Sequence, residues 1–339
     1  MSPAARGPVL VMGTGSVGGW LGGRLQAAGV EVHFVGRPRV LKALASRGLR
    51  LTDLDGGDLR LSAHALHLHE HVPAGLVPAL VLLCVKSAAT AEAARELGAQ
   101  LPPGTPVLSM QNGIANAIAA QQAAPSLRCL PGMVPYNIAE LAPGHLHRGT
   151  DGVLAAQRDP VLEAWQPVFA AAGLPVELHA DLRSVQWGKL LLNLNNAVNA
   201  LSGLPLRAQL LDRDLRRCTA ALIDETLDVL AAAGIAPARM SPLPPRWIPR
   251  VLRLPTPLFR IVAARMLRID HQARSSMADD LALGRITEVD ALQGEVVRLA
   301  QRHGVAAPRN QRIAALVEAW PVRRHPFAGA ELCRALETA

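Results

Sequence analysis

An α/β domain followed by an all-helical one is what this sequence predicts, and three observations predict it. A short apolar strand at residues 8–12, PVLVM, runs straight into a glycine-rich turn, GTGSVGG, and a helical stretch. A second apolar run at 79–85, ALVLLCV, is continuous rather than alternating, the pattern of a parallel strand buried on both faces. From Leu204 onward strand signals stop and apolar residues recur at helical spacing. The switch sets the expected boundary, with the α/β domain over residues 1–180 and the helical domain over 181–339.

In the turn, Gly13, Gly15 and Gly18 stand at GxGxxG spacing, ahead of a helix expected over 17–28 and a second strand over 31–35. Such a turn lets backbone N–H groups and the positive end of a helix approach a pyrophosphate. Gly13, Thr14, Gly15, Ser16, Val17 and Gly18 are therefore the candidate cofactor-binding residues of a Rossmann-like domain. The spacing alone is weak, and the strand before it and the helix and strand after it give it weight. The second strand ends in Gly36, Arg37, Pro38 and Arg39, where an NAD site usually carries Asp or Glu for the ribose hydroxyls. An arginine there suits a 2′-phosphate, so NADPH is expected over NADH; the bland alternative is that Arg37 is one arginine among many.

Residues 48–66 read as a hairpin turning at Asp55, Gly56 and Gly57. His64, His67, His69 and His71 follow, but no cysteine and only Glu70 stands near to complete a ligand set, so no metal is expected. The run at 79–85 ends at Lys86 before a helix over 88–100, and a strand over 106–110 ends in Gln111, Asn112 and Gly113 before another helix. Ligands of open parallel sheets sit at the carboxyl ends of strands, which points Lys86 and Asn112 toward a cofactor crevice. Capping by Asn112 and simple exposure of Lys86 are the structural alternatives. Between 125 and 178 a helix is expected over 160–172, and the pieces RCLPGMVPYN and GHLHRGTDGVLA fit an antiparallel extension of the sheet.

The stretch 181–202, DLRSVQWGKLLLNLNNAVNALS, reads as one helix on which Lys189, Asn193 and Asn196 share a face. Asparagine is a poor helix former, yet Asn193, Asn195, Asn196 and Asn199 crowd together here. Of 35 lysines and arginines, only Lys42, Lys86 and Lys189 are lysines. An amine among apolar residues can lose and regain its proton in the usable pH range, and a guanidinium cannot. Two readings of this helix stay open: a proton donor beside polar contacts, or a lysine snorkelling from a core helix whose asparagines bond a neighbour.

A helix over 213–233 closes at Gly234. Seven prolines between Pro237 and Pro257 then break regularity, and PLPPRWIP reads as an extended loop, either a lid or an insertion. In the block ARSSMADDLALGRITEVDALQG, Ser275 or Ser276 caps a helix that Gly284 ends, and Thr287 with Asp290 forms a capping box for the next. Glu288 then falls in a first turn, where its charge is favoured and helix stabilisation alone would explain it.

Composition narrows the partners. The chain has 339 residues, is 50% hydrophobic and carries a net charge of +8, enough for a large core and about two domains. The positive charge is spread from Arg6 to Arg334, and the densest basic stretch, 246–274, offers little stacking surface beside Trp247 and Phe259, so nucleic-acid binding is not expected. Cys84, Cys129, Cys218 and Cys333 lie far apart without a CxxC pair, as in a reducing compartment. No apolar run reaches the roughly 18 residues of a membrane span, and no secretory h-region follows Arg6. A soluble cytoplasmic protein without membrane partners is expected, with pairing to a second copy left open.

With these residues in hand, the chain resembles the ketopantoate reductase family, the 2-dehydropantoate 2-reductases, over nearly its whole length. The resemblance rests on GTGSVGG with VGRPR, then CVKS, QNG, WGKLLLN and SSMADDLALGRITEVDALQG, in that order. It implies a Rossmann domain and a helical domain with NADPH in the cleft between them, and reduction of 2-dehydropantoate to (R)-pantoate on the way to pantothenate and coenzyme A. Matched to the family pattern, Lys189 looks like the catalytic lysine, Glu288 like the substrate-binding carboxylate and Ser276 like the serine that helps hold the substrate carboxylate. Asn193 looks like the first asparagine of the catalytic helix, while Asn112 and Lys86 fall on cofactor and cleft positions. Many relatives carry a second helix asparagine where this chain has Ala197, flanked by Asn196 and Asn199. Either of these, or both, would then contact substrate. Two rivals remain: a reductase of another small 2-keto acid, and a non-catalytic NADP-sensing protein.

Overall fold

Strand β1 (Val9–Met12) is buried along its whole length, which explains why four apolar residues stand together without alternation. The computed structural model describes residues 7–264, 267 and 273–337. The chain folds as two compact units, Met1–Leu182 and Arg183–Ala339.

In the first unit β1 leads into α1 (Ser16–Ala27), β2 (Val32–Val35), α2 (Pro38–Arg47), β3 (Leu49–Asp53), β4 (Asp58–Leu61) and β5 (His67–His69). β6 (Leu80–Leu83), α3 (Thr90–Gln100), β7 (Pro106–Ser109), α4 (Asn116–Ala123) and β8 (Arg128–Met133) follow. β9 (Ile138–Ala142), β10 (His145–Arg148), β11 (Leu154–Gln157), α5 (Pro160–Ala171) and β12 (Val176–His179) complete it. An eight-stranded sheet runs β12-β11-β8-β7-β6-β1-β2-β5. From β5 to β8 every pairing is parallel, the doubly wound order of a Rossmann-like fold.

The expected antiparallel extension divides in two. β11 does pair antiparallel with β8, but β8 itself is parallel to β7. The GHLHR piece, as β10, joins the hairpin β3–β4 and β9 in a separate four-stranded sheet. Polar alternation could not reveal this second sheet, because β3 and β10 come together across a long stretch of sequence.

Helix α1 lies between the two sheets, and its glycines explain how. A Cβ on Gly22 would come 2.5 Å from Phe34 of β2, whereas one on Gly19 would come 2.8 Å from Leu146 of β10. Gly23 meets Leu49 and Leu51 of β3 in the same way. The run GGWLGG thus thins the helix on two faces, and Trp20 and Leu21 between the pairs are buried.

Among the described residues the regular elements of the second unit are all helical: α6 (Leu182–Asn193), which starts at the junction, α7 (Asn195–Ser202), α8 (Leu206–Leu211), α9 (Arg213–Ala232), α10 (Ile248–Leu252) and α11 (Thr256–Val262). α12 (Ser276–Ala282), α13 (Glu295–Arg302), α14 (Pro308–Glu318), α15 (Trp320–Arg323) and α16 (Gly329–Glu337) follow. The single helix expected over 181–202 is two, α6 and α7, meeting at a turn on Leu194. α9 ends as expected, with Gly234 at φ 66°.

The proline-bearing stretch 237–257 is not a free extended loop. Pro245–Trp247 form a 3₁₀ turn that feeds α10. The fully buried Arg216 of α9 holds the end of α10 and the residues after it, donating from Nε to the Leu252 carbonyl at 2.9 Å and from Nη2 to the Leu254 carbonyl at 2.8 Å. Its guanidinium stacks 4.2 Å from the Phe259 ring. Part of the basic stretch 246–274, residues 265, 266 and 268–272, lies outside the described residues.

Candidate active site

The glycine turn does three different things with three glycines. Gly13 has φ 105°, and a Cβ there would meet the Val85 nitrogen at 2.6 Å. Gly18 packs so tightly that a Cβ would sit 2.1 Å from the Gly13 carbonyl oxygen. Gly15, the N-cap of α1, faces open space. An absent side chain at Gly15 therefore serves no packing need within the protein and leaves room for a close-approaching ligand.

Not every residue of the turn is available to such a ligand. The N–H groups of Gly13 and Thr14 both donate to the Val35 carbonyl, and the buried Thr14 hydroxyl does the same at 2.9 Å. Thr14 closes the turn onto β2 rather than presenting a donor. The donors left at the start of α1 belong to Ser16, Val17 and Gly18, whose N–H groups precede the first helical bond, Gly19 N–H to Gly15 carbonyl. No acidic residue stands in that first turn. Donors unpaired among the described residues, the helix dipole and space over Gly15 fit the pyrophosphate of a dinucleotide.

Arg37 stands just beyond the carboxyl end of β2 as the N-cap of α2, exposed, with Arg39 beside it and no acidic residue in the helix's first turn. Lys86 is exposed at the end of β6. Asn112 follows β7, and its carbonyl accepts from Asn116 Nδ2 at 2.6 Å and Ser87 Oγ at 3.3 Å. A residue without an assigned part in the sequence reading does the anchoring here. The buried Gln111 accepts from Ser109 Oγ and donates to the Val85 carbonyl at 2.8 Å and Thr90 Oγ1 at 2.7 Å. It ties the loop after β6 to the loop after β7. A polar residue in the QNG motif at a strand end was the available signal.

In the second unit, α6 explains the WGK motif. Trp187 is buried, and a Cβ on Gly188 would meet the Ala238 carbonyl oxygen at 2.3 Å, so the helix must be bare where the chain at 238 crosses it. The next residue, Lys189, is half-buried. Desolvation pushes its amine down from the ordinary 10.5 to about 8, and the Glu288 carboxylate pulls in the opposite direction. The structure thus brings Lys189 and Glu288, 99 positions apart in sequence, within electrostatic reach of each other.

Glu288 sits ahead of an irregular helix. Its carbonyl accepts from Leu292 N–H at 3.2 Å at the mouth of a π turn, Asp290–Gly294, that continues into α13. The expected capping box is absent: Asp290 is held by Arg298 Nη1 at 2.7 Å instead of reaching back to Thr287. The fully buried Gln293 of the π turn donates to the Leu194 carbonyl at 3.2 Å. One side chain therefore links the turn after Glu288 to the break between α6 and α7, a part that sequence reasoning missed because no local pattern marks a π turn.

The four asparagines divide in two. Asn199 is fully buried, donating to the Leu204 carbonyl at 2.9 Å and accepting from Ser275 N–H at 2.9 Å, so it is a structural residue and not the substrate contact expected of it. Asn195 exchanges hydrogen bonds with Gln209 and accepts from Thr219 Oγ1 at 3.0 Å. Asn193 and Asn196 are half-buried, and among the described residues neither amide side chain has a hydrogen-bond partner. Ser275 caps α12 by accepting from Ala278 N–H and also donates to the Asn196 carbonyl at 3.2 Å. Ser276, relieved of capping, is half-buried beside it.

The histidines of β5 belong to a stack, with His33 ring centroids 4.9 Å from His67 and 5.2 Å from His69. Among the described residues no group of three or more His, Cys, Asp and Glu is arranged to hold a metal ion. No described helix is long and apolar enough to cross a membrane.

Comparison with known proteins agrees with these features. Residues 9–159 match the family described as ketopantoate reductase PanE/ApbA, and residues 181–320 match its C-terminal part. A 2-dehydropantoate 2-reductase of Halobacterium salinarum is 31% identical over 316 residues, covering 91% of this chain and 97% of that protein. The crystal structure of a PanE/ApbA family ketopantoate reductase from Ralstonia eutropha superposes with TM-score 0.78 at 30% identity, covering 94% of this chain and all of the other. A D-mandelate dehydrogenase in complex with NADH and anilino(oxo)acetate shares the fold at 18% identity, with TM-score 0.76 and 94% of this chain covered.

Proposed function

The chain belongs to the ketopantoate reductase family of oxidoreductases, and from that premise we propose that it reduces the C2 ketone of 2-dehydropantoate to (R)-pantoate with NADPH, Lys189 acting as the acid. The observation that carries this reading is the half-buried amine on α6, drawn down to about 8 by desolvation while a carboxylate from a distant turn opposes the shift. A group so poised is charged near neutrality yet gives up its proton readily, as a general acid must.

The first unit would hold NADPH, with its pyrophosphate at the start of α1 and its 2′-phosphate at Arg37. When bound, the nicotinamide supplies the hydride that reduces the ketone carbon. Negative charge then builds on the ketone oxygen, and Lys189 Nζ stabilises it and donates the proton. Glu288 would accept a hydrogen bond from the substrate's terminal hydroxyl, with Ser276, Asn193 and Asn196 orienting its carboxylate. A second reading, another small 2-keto acid as substrate, draws support from Ala197, which is fully buried and cannot supply the amide that the family resemblance implies there.

Steady-state NADPH consumption tests the proposal. The intact protein should turn over 2-dehydropantoate faster than other 2-keto acids. Lys189→Ala should lower kcat by about a hundredfold or more. A fall of less than about tenfold, on the order of 1.4 kcal/mol of barrier, would remove Lys189 from the role of acid. NADPH binding without turnover of any keto acid would favour a sensing protein.

A further inference from the structure

The four cysteines are not all isolated. Cys218 on α9 and Cys333 on α16, far apart in sequence, bring their sulfurs to 2.9 Å. Cys333 also donates to the Asp214 carbonyl at 3.1 Å, which holds its side chain toward α9. Cys218 is buried and Cys333 half-buried, so a small reagent can reach the pair from the Cys333 side.

We propose that Cys218 and Cys333 form a redox modification site, at which a peroxide converts the two thiols into a disulfide that fastens the C-terminal helix α16 to α9. The two thiols are unequal, as such chemistry requires. Their mutual hydrogen bond holds Cys333 below the ordinary thiol range, and the same contact together with burial pushes Cys218 above it. Burial also pushes up the other two thiols, Cys84 and Cys129, the latter to about 11.

Cys333 thiolate attacks one peroxide oxygen; the O–O bond breaks, one water leaves after taking up a proton, and a sulfenic acid remains on Cys333. The Cys218 sulfur attacks that sulfur, the S–S bond forms as the S–O bond breaks, and a second water leaves with the Cys218 proton. Two thiols are oxidised and one peroxide is reduced to two waters.

The bond would act on the spine of the second unit. α9 carries Thr219, which bonds Asn195 on α7, and the buried Glu225, whose carboxylate accepts from Arg309 N–H at 3.0 Å and Asn310 N–H at 2.8 Å at the start of α14. A covalent tie from α9 to α16 closes a long loop and removes freedom from the unfolded chain.

The test uses the purified full chain treated with hydrogen peroxide. The expected product is lighter by two hydrogens, with the Cys218 and Cys333 peptides joined in a non-reducing map. It should melt higher by about 5 °C or more, and dithiothreitol should reverse the shift. Cys333→Ser should abolish both the link and the shift. Added oxygen on Cys333 without a cross-link would overturn the proposal, as would a link through Cys84 or Cys129 or an unchanged melting temperature in linked protein. The peptide map on the unmutated chain stands even where a variant folds poorly.

Discussion

In the first unit the candidate ligand-binding groups are backbone N–H donors at the start of α1, bared by a glycine, whereas in the second they are side chains drawn from three helices and from Glu288, just ahead of a π turn. The turn around Gly13 is fixed by steric demands on the main chain. The surroundings of Lys189 are fixed by which amide or hydroxyl a neighbour has already taken. A backbone site is thus written in residue types that tolerate no substitute, while a side-chain site is written in residues that serve equally well as structure.

The largest test of that contrast lies within the turn itself. Gly18→Ala places a Cβ 2.1 Å from the Gly13 carbonyl oxygen, a clash with main chain that cannot rotate away. We expect it to destabilise the first unit by about 3 kcal/mol, seen as a lowered denaturant midpoint. Gly15→Ala meets nothing within 4 Å in the protein and should leave the midpoint nearly unchanged while weakening NADPH binding severalfold or more. Equal destabilisation by both changes would erase the distinction between a packing glycine and a ligand-facing one.

A second test asks whether the asparagines on α7 differ as their bonds indicate. Asn199→Ala strands the buried Ser275 N–H and takes the amide donor from the Leu204 carbonyl, at a cost of about 2 kcal/mol. Asn196→Ala removes an amide with no hydrogen-bond partner among the described residues, so it should leave stability within about 0.5 kcal/mol and raise KM for the keto acid. Chemical denaturation beside steady-state kinetics reads both. A KM effect larger at Asn199 than at Asn196 would reverse their parts.

These tests also mark what could be read from the chain alone. The Rossmann-like order was legible because apolar runs and glycine spacing report backbone demands directly, and α9 was legible from its periodicity and Gly234. The asparagines were recognisable as unusual, and helical projection put Asn196 on the face of Lys189 and Asn193, but it left Asn199 open as a second contact, because the partners that occupy Asn199 come from residues 204 and 275. Thr14 looked like a phosphate donor for a similar reason, its acceptor being the carbonyl of β2's last residue. Gln293 and Arg216 were invisible, since each acts on carbonyls distant in sequence. Cys218 and Cys333, read as isolated, meet only through the packing of α16 on α9.

The smallest effect bears on the pair that unites the side-chain site. Lys189 must be protonated to act as the acid, so kcat/KM should fall as pH rises through about 8, the value to which burial brings it. Glu288 raises that value, so Glu288→Gln should move the alkaline limb to lower pH, beyond any effect on KM. The same amine leaves a signature in stability. Its folded value of about 8 lies below the ordinary 10.5, so between those two pH values the unfolded chain binds the proton more strongly and stability rises with pH. Below about 8 the full cost of charging the amine is present. Lys189→Met should therefore be more stable than the parent near neutrality, by on the order of 1–2 kcal/mol after allowing for solvent screening, and the gap should close as pH approaches 10.5. An alkaline limb that stays in place in Glu288→Gln, or a Lys189→Met variant without added stability at neutral pH, would show that the amine is not held at the cost its surroundings imply.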